Sequence, residues 1–272
     1  MIQIRGMDYI GIIKKLDYQI SQRRLGIIIE WLNANSITYW THAYSTGTNL
    51  IVDIGSGPWV GVSSHFDRVD TTAGANDNAS AIVVCLDLIL RLKSSNQNRV
   101  GVRLFFFDEE ETGLKGSSAY VADFGTMDLI GLMNLEMVGR GEMVALWPLD
   151  NEKKTPVLDT FEQVAIRDRT PAKRFDKIVT NTADHVPFIR SGLKDSFSIT
   201  CVSKEDLSVA EKYFLALSQG KDIDDLHKIL ATAPLFQHYH KPTDTYEKIE
   251  SKALIRTADL IERTIELFSK SK

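Results

Sequence analysis

The chain has 272 residues, 43% hydrophobic and 25% charged, with a net charge of -4. That length and mixture suit one large domain with its own core, and no stretch of about 18 apolar residues is present to span a bilayer. A net acidic balance without Lys/Arg blocks argues against nucleic acid or an anionic membrane as a partner.

The start "MIQIRGMDYIGIIKKLDYQIS" breaks every apolar run with charge and so lacks the core of a signal peptide. The expected location is cytoplasmic by default, with secretion through a removed signal left open. "DYQISQRRLGIIIEWLNANS" has helical spacing with one polar face, and "ITYWTHAY", "NLIVDIG" and "WVGVSSHF" then read as short strands punctuated by Gly and Ser. Next, "NASAIVVCLDLILRLKSS" reads as a helix opening near Asp77, with Asn and Ser as candidate caps. "VGVRLFFF" is apolar throughout, as a strand buried on both faces must be. A second helix and strand follow in "GSSAYVADF" and "DLIGLMNLEMVG".

The polar region 149–176 holds a helix-like "TPVLDTFEQVAIRD" and reads as a surface excursion. "SFSITCV" is a strand, 203–233 a charged helical stretch, and "YEKIESKALIRTADLIERTIELF" an amphipathic closing helix. Cys85 lies in a helical apolar pattern and Cys201 in a strand, which suits two buried thiols better than a disulfide or metal framework. Alternating strands and helices predict an α/β three-layer sandwich with a central mixed, mostly parallel sheet, in a single domain over 1–272.

Set on this outline, the ionisable residues cluster. His65 and Asp67 follow one strand, Asp108 to Glu111 a second, and Glu136 closes a third. All fall at C-terminal strand ends, the edge where open α/β sheets bind ligands. Asp77 stands at a helix N-terminus, and "HYHKPTDT" places His238 and His240 in a late polar turn. Imidazoles and several carboxylates converging on one edge suit zinc, which takes His nitrogen and carboxylate oxygen, and a carboxylate able to bridge suits a metal pair.

Six stretches in order, "HFD" at 65–67, "GANDNAS" at 74–80, "EETGLKGS" at 110–117, "NLEM" at 134–137, "ADHVPF" at 183–188 and "YHKPTDT" at 239–245, together resemble the di-zinc aminopeptidases of metallopeptidase family twenty-eight. The resemblance implies two zinc ions per chain, with His65 and Glu136 on one, Glu111 and His240 on the other, and Asp77 shared. It implies hydrolysis of the N-terminal bond of a peptide with a free N-terminus, by a metal-activated water with Glu110 as general base. Asp67 would fix the tautomer of His65.

Aligning on "TGLKGS" leaves Glu109 outside the motif, and "HKPTDT" registers on His240 in preference to His238. Glu136 departs from the pattern, because the aminopeptidases nearest to it carry Asp there. Asp184 and His185 stand in a family motif, open between contacting substrate, supporting the site and capping the next helix. His42 and His227 match no motif and read as surface or packing residues. The resemblance also implies a cis peptide between Asp77 and Asn78, and it leaves 203–237 as a candidate lid or subunit contact. Two alternatives share the scaffold: a glutaminyl cyclase-like single-zinc acyltransferase and a non-catalytic binding protein.

Overall fold

In the computed structural model the described residues are 7–94, 100–150, 152, 154–175 and 183–270. Residues 1–6, position 95 at the end of the stretch expected as a helix from Asn78, and positions 151, 153 and 176 of the 149–176 region lie outside them.

The chain opens with α1 (Tyr9–Leu16) and α2 (Ser21–Ala34), then β1 (Trp40–Ala43), β2 (Thr48–Ile54) and β3 (Trp59–His65). It continues through α3 (Ser80–Ser94), β4 (Gly101–Phe107), α4 (Lys115–Phe124), β5 (Leu129–Leu135) and β6 (Met143–Trp147). Next come α5 (Pro156–Arg167), β7 (Ala172–Arg174), α6 (His185–Arg190) and β8 (Ser196–Val202), and it closes with α7 (Lys204–Ser218), α8 (Ile223–Leu230) and α9 (Ser251–Lys270).

The eight strands form one sheet in the order β1-β2-β4-β3-β5-β8-β6-β7. Its centre, β4-β3-β5-β8, is parallel, whereas β1, β2 and the β8–β6 pairing are antiparallel. The mixed α/β sheet expected from the sequence is present; β6 and β7 also pair in parallel at its far edge, and the parallel strands β3, β4 and β5 carry the site.

Burial explains the strand sequences. Leu104 and Phe106 enter the larger core with α3, α5 and α9, while Phe105 and Phe107 enter a second core with Tyr120 of α4 and Phe188 of α6. A strand alternates its side chains between faces, so covering both faces yields a continuous apolar run. In α9, Leu254, Ala258, Ile261, Ile265 and Phe268 are buried, the three-and-four spacing of a helix with one inward stripe.

Three elements go beyond the sequence reading. α1 precedes the first expected helix, which starts at Ser21 and not at Asp17, because Asp17 ends α1 and its carboxylate accepts from the Tyr246 backbone N–H. β6 and β7 add the far edge of the sheet. The expected surface excursion carries the helix α5, one face of which is internal: Val157, Leu158 and Phe161 are buried in the main core. Both cysteines are free and buried. Among the described residues no helix is long and apolar enough to cross a membrane.

Candidate active site

The C-terminal ends of three parallel strands supply the centre. His65 ends β3, the acidic turn 108–111 follows β4 and Glu136 follows β5, while Asp77 comes from the turn before α3 and His240 from the loop before α9. His65 Nε2 lies 3.3 Å from Asp77 Oδ1 and 3.4 Å from Glu136 Oε2. His240 Nε2 lies 3.3 Å from Asp77 Oδ2 and 3.1 Å from Glu111 Oε2. Each oxygen of Asp77 therefore faces a different imidazole. Glu110 Oε2 is farther from His65 Nε2, at 4.0 Å.

These residues are held by donors and acceptors suited to carboxylates. Asp67 Oδ1 faces His65 Nδ1 at 3.2 Å and accepts the Glu110 backbone N–H, and its Oδ2 accepts the Glu111 N–H. One carboxylate thus fixes the imidazole and the acidic turn together. Asp244, buried, accepts the backbone N–H groups of Asn76 and Asp77. The peptide between Asp77 and Asn78 is cis, as expected.

Asn78 does not cap the following helix as expected. Its amide instead donates to Leu135 O and Glu136 Oε2, and its carbonyl accepts the Met137 N–H, tying the Asp77 turn to the end of β5. Asn134 donates to Glu136 Oε1. Glu109, Leu114, Met137 and His240 all adopt positive φ near the centre, a region that costs non-glycine residues about 1–3 kcal/mol.

Arg24 of α2, fully buried, is a site feature that the sequence reading missed. Its guanidinium donates to the carbonyls of Leu16, Phe66, Asp67, Ala73 and Gly74 at 2.8–3.4 Å. It thereby clamps the loop that carries Asp67 and leads to Asp77. Gly74 has φ +70°, and a Cβ there would sit 2.6 Å from Arg24 Nη2 and 2.9 Å from Asp77 O. The turn therefore requires glycine for both its conformation and its close approach.

Other sequence candidates fall outside the centre. Glu109 pairs with Lys115 at 2.8 Å and accepts from Thr46. His238 Nδ1 contacts Thr243 Oγ1 at 2.9 Å and lies apart from the centre. His42 packs between Asn49 and Asp123.

Asp184 is fully buried at the start of α6 but makes no side-chain cap. Neither of its oxygens has a hydrogen-bond partner among the described residues, the neighbouring Ser117 hydroxyl being directed to Leu114 O, and burial pushes its carboxyl up to about 8. His185 is also fully buried, its Nδ1 2.9 Å from Ser198 Oγ, and burial lowers its imidazole to about 3. Ser198 in turn accepts from Asn134. Asp184 interacts electrostatically with His65, Glu136 and Asp67, and His185 connects to Glu136 through Ser198 and Asn134.

The charges at the centre are strongly coupled. Burial opposes ionisation of His65, yet Glu136 and Glu110 outweigh it and hold the imidazole well above its usual value. Burial likewise opposes charge on Asp77, but His240 and His65 lower its carboxyl. His240 is raised to about 9, burial being overcome by Asp77 and Glu111, and burial pushes Glu110 well above the carboxylate range. A buried excess of carboxylate facing two imidazoles is an environment that a cation stabilises.

The donor set fits zinc. In a tetrahedron with zinc–ligand bonds of about 2.0–2.1 Å, neighbouring donors are separated by about 3.3–3.4 Å. The 3.1–3.4 Å separations around Asp77 match that edge. Donor atoms of His65, Asp77 and Glu111 all lie within 4.8 Å of one another, as do those of His65, Glu110 and Glu136. Glu111 Oε1 is buried without a hydrogen-bond partner among the described residues.

A mixed α/β sheet with imidazoles and carboxylates gathered at its C-terminal edge defines the class, a metallopeptidase scaffold of the zinc-exopeptidase kind. The model of Peptidase family M28 matches residues 49–265, and the chain belongs to that family. It is 29% identical to aminopeptidase YwaD of Bacillus subtilis over 209 residues, which cover 74% of this chain and 39% of the relative. It therefore spans about two-fifths of the length of that curated relative. The structure of BSAP, a zinc aminopeptidase from Bacillus subtilis, superposes with a TM-score of 0.64 at 25% identity, covering 81% of this chain and 50% of that one. A glutaminyl cyclase from Porphyromonas gingivalis shares the fold with a TM-score of 0.70 at 15% identity, over 95% and 94% of the two chains.

Proposed function

We propose that this chain is the catalytic domain of a two-zinc aminopeptidase, with His65, Glu136 and Asp77 holding one ion and Glu111, His240 and Asp77 the other. The observation that carries this reading is the disposition of Asp77, each oxygen 3.3 Å from a different imidazole and each imidazole a further 3.1–3.4 Å from its own glutamate. When bound, the ion pair supplies Lewis acidity, acidifying a water and polarising the scissile carbonyl.

The protein supplies the rest. Glu110 borders the cleft with Oε2 4.0 Å from His65 Nε2 and a side chain 13% exposed. It takes the proton of the attacking water and delivers it to the leaving amine, and burial raises its proton affinity toward the range useful for both transfers. Asp67 keeps His65 in the tautomer that presents Nε2 to the centre while holding the backbone of Glu110 and Glu111 in place. Asn134 and Asn78 orient Glu136.

The test is hydrolysis by metal-depleted and zinc-reconstituted protein of three matched peptides: one with both ends free, one acetylated at its N-terminus and one amidated at its C-terminus. The reading expects zinc-dependent release of the first residue from the free and amidated peptides and none from the acetylated one. Release from the C-terminus would overturn the aminopeptidase assignment. Loss of ammonia from a glutamine-starting peptide without hydrolysis would favour a cyclase.

A further inference from the structure

His240 is less enclosed by the protein than the other four proposed ligands. Its side chain is 37% exposed, against 1% for His65 and 9–11% for Asp77, Glu111 and Glu136. The loop that carries it, 238–245, contains no helix or strand. Such a loop gains conformational entropy by loosening, so the reach of His240 to the centre depends on what ties the loop down.

Asp244 supplies one tie, accepting the backbone N–H groups of Asn76 and Asp77 while its carbonyl accepts that of Ala75. Two more come from the linker between α1 and α2, which lies before the residues 49–265 that the family model covers. The Tyr18 hydroxyl donates to Pro242 O at 2.9 Å, two residues after His240. Asp17 Oδ2 accepts the Tyr246 N–H at 3.0 Å, where the loop ends.

The same linker is fastened to the loop that carries Asp67 and leads to Asp77. The Tyr18 N–H donates to Ala73 O at 3.0 Å, and the Arg68 guanidinium donates to Tyr18 O at 3.0 Å and to Gln19 O at 2.8 Å. The linker backbone thus grips one ligand loop while the side chains of Asp17 and Tyr18 grip the other. Asp17 is buried, so its bond to Tyr246 is sheltered from water. Tyr18 is 54% exposed, so its ring adds little to the core and the bond from its hydroxyl is what it contributes to the fold.

Resting on the two-zinc reading, we infer that Asp17 and Tyr18 are positioning residues for the ion assigned to Glu111, His240 and Asp77. They strap the His240 loop to the Asp77 loop, so that Nε2 of His240 keeps its spacing to Asp77 and Glu111. The ion assigned to His65 and Glu136 does not depend on the strap, because those residues stand at the ends of β3 and β5 in the sheet itself.

The test is zinc binding to the metal-free full chain, measured by competition with a chelator and by counting bound ions in native mass spectrometry. No turnover is needed. The binding step that His240→Ala removes identifies the ion concerned. Tyr18→Phe deletes one hydroxyl and keeps every backbone bond of the linker. It should weaken that ion by roughly 2- to 10-fold, the equilibrium effect of one hydrogen bond, and leave the other within about two-fold. Asp17→Ala should weaken it by roughly 10- to 100-fold. Asp17→Asn, whose amide oxygen can still accept the Tyr246 N–H, should fall between Asp17→Ala and the wild type. Asp259→Ala, which removes a partner of Arg91 between α3 and α9, should move neither ion.

Uptake of only one ion by the wild type would count against the two-zinc reading itself. Full affinity for the His240 ion in Tyr18→Phe or in Asp17→Ala, equal weakening of both ions, or the same losses in Asp259→Ala would overturn the strap alone.

Discussion

Replacing Arg24 with Met removes the guanidinium while keeping an unbranched side chain of similar length. Five carbonyls lose a donor, but they do not lose equally. Leu16 O also accepts Gln19 N–H, Ala73 O accepts Tyr18 N–H and Gly74 O accepts Ala79 N–H, while Asp67 O faces His65 Nδ1. Among the described residues Phe66 O has no second donor of this kind. A charge-assisted hydrogen bond contributes about 1.5–3 kcal/mol, and a buried acceptor left unmade costs about 1–3 kcal/mol.

Against this stands the relief of a buried cation, whose burial lowers the arginine to about 10. With four of the five carbonyls keeping another partner and no charge left behind, the balance falls at about 1–3 kcal/mol of destabilisation, that of a buried acceptor left unmade. Because the clamped loop carries Asp67 and leads to Asp77, zinc affinity should also fall by about 10- to 100-fold, the effect of disturbing groups that orient metal ligands. Urea denaturation of the metal-free chain measures the first effect, and zinc titration against a competing chelator the second. Arg24→Lys, with three donors, should fall between. A destabilisation below about 1 kcal/mol would refute the clamp, and a large loss of stability with unchanged zinc affinity would refute its link to the site.

Glu110→Gln should lower hydrolysis by about 10²–10⁴-fold with metal content intact. Glu111→Gln should lose metal, and Glu109→Gln, which only weakens a partly exposed pair with Lys115, should be nearly silent. A dead, metal-replete Glu109→Gln would shift the register of the acidic turn by one residue. His185 gives a pH signature: the unfolded imidazole protonates near pH 6.5 but the folded one only near pH 3. Between those values the unfolded chain binds the extra proton, so this contribution is complete above about pH 6.5 and is lost as pH falls toward 3, on the order of 3 kcal/mol by pH 4. The denaturant midpoint of His185→Gln should fall correspondingly less between pH 7 and pH 4 than that of the wild type. Equal acid losses in the two would show that His185 does not carry the effect.

The central strands were legible because burial on both faces writes itself as an apolar run, and the ends of those runs located His65, the acidic turn and Glu136 before any geometry was known. His240 was separable from His238 only by its place in "HKPTDT". The supports were harder to read. Arg24 sits in "SQRRLG" beside Arg23, which pairs with Glu30 on the surface. No local pattern separates a cation facing water from one facing five carbonyls, because those acceptors come from loops up to fifty residues away. Asn78 read as a helix cap because Asn is common there for local reasons, whereas its partners lie at the end of β5. β6 and β7 are short strands at one end of the sheet whose pairing partners decide their conformation more than their own sequences do.

Zinc content measured together with hydrolysis bears most directly on the proposed two-ion centre. Metal-free protein titrated with zinc, with bound metal read by mass spectrometry and leucine p-nitroanilide turnover followed in the same samples, should reach full activity at two ions per chain. His65→Ala and His240→Ala should each weaken a different one of the two. Full peptidase activity at one ion per chain would contradict the shared role assigned to Asp77.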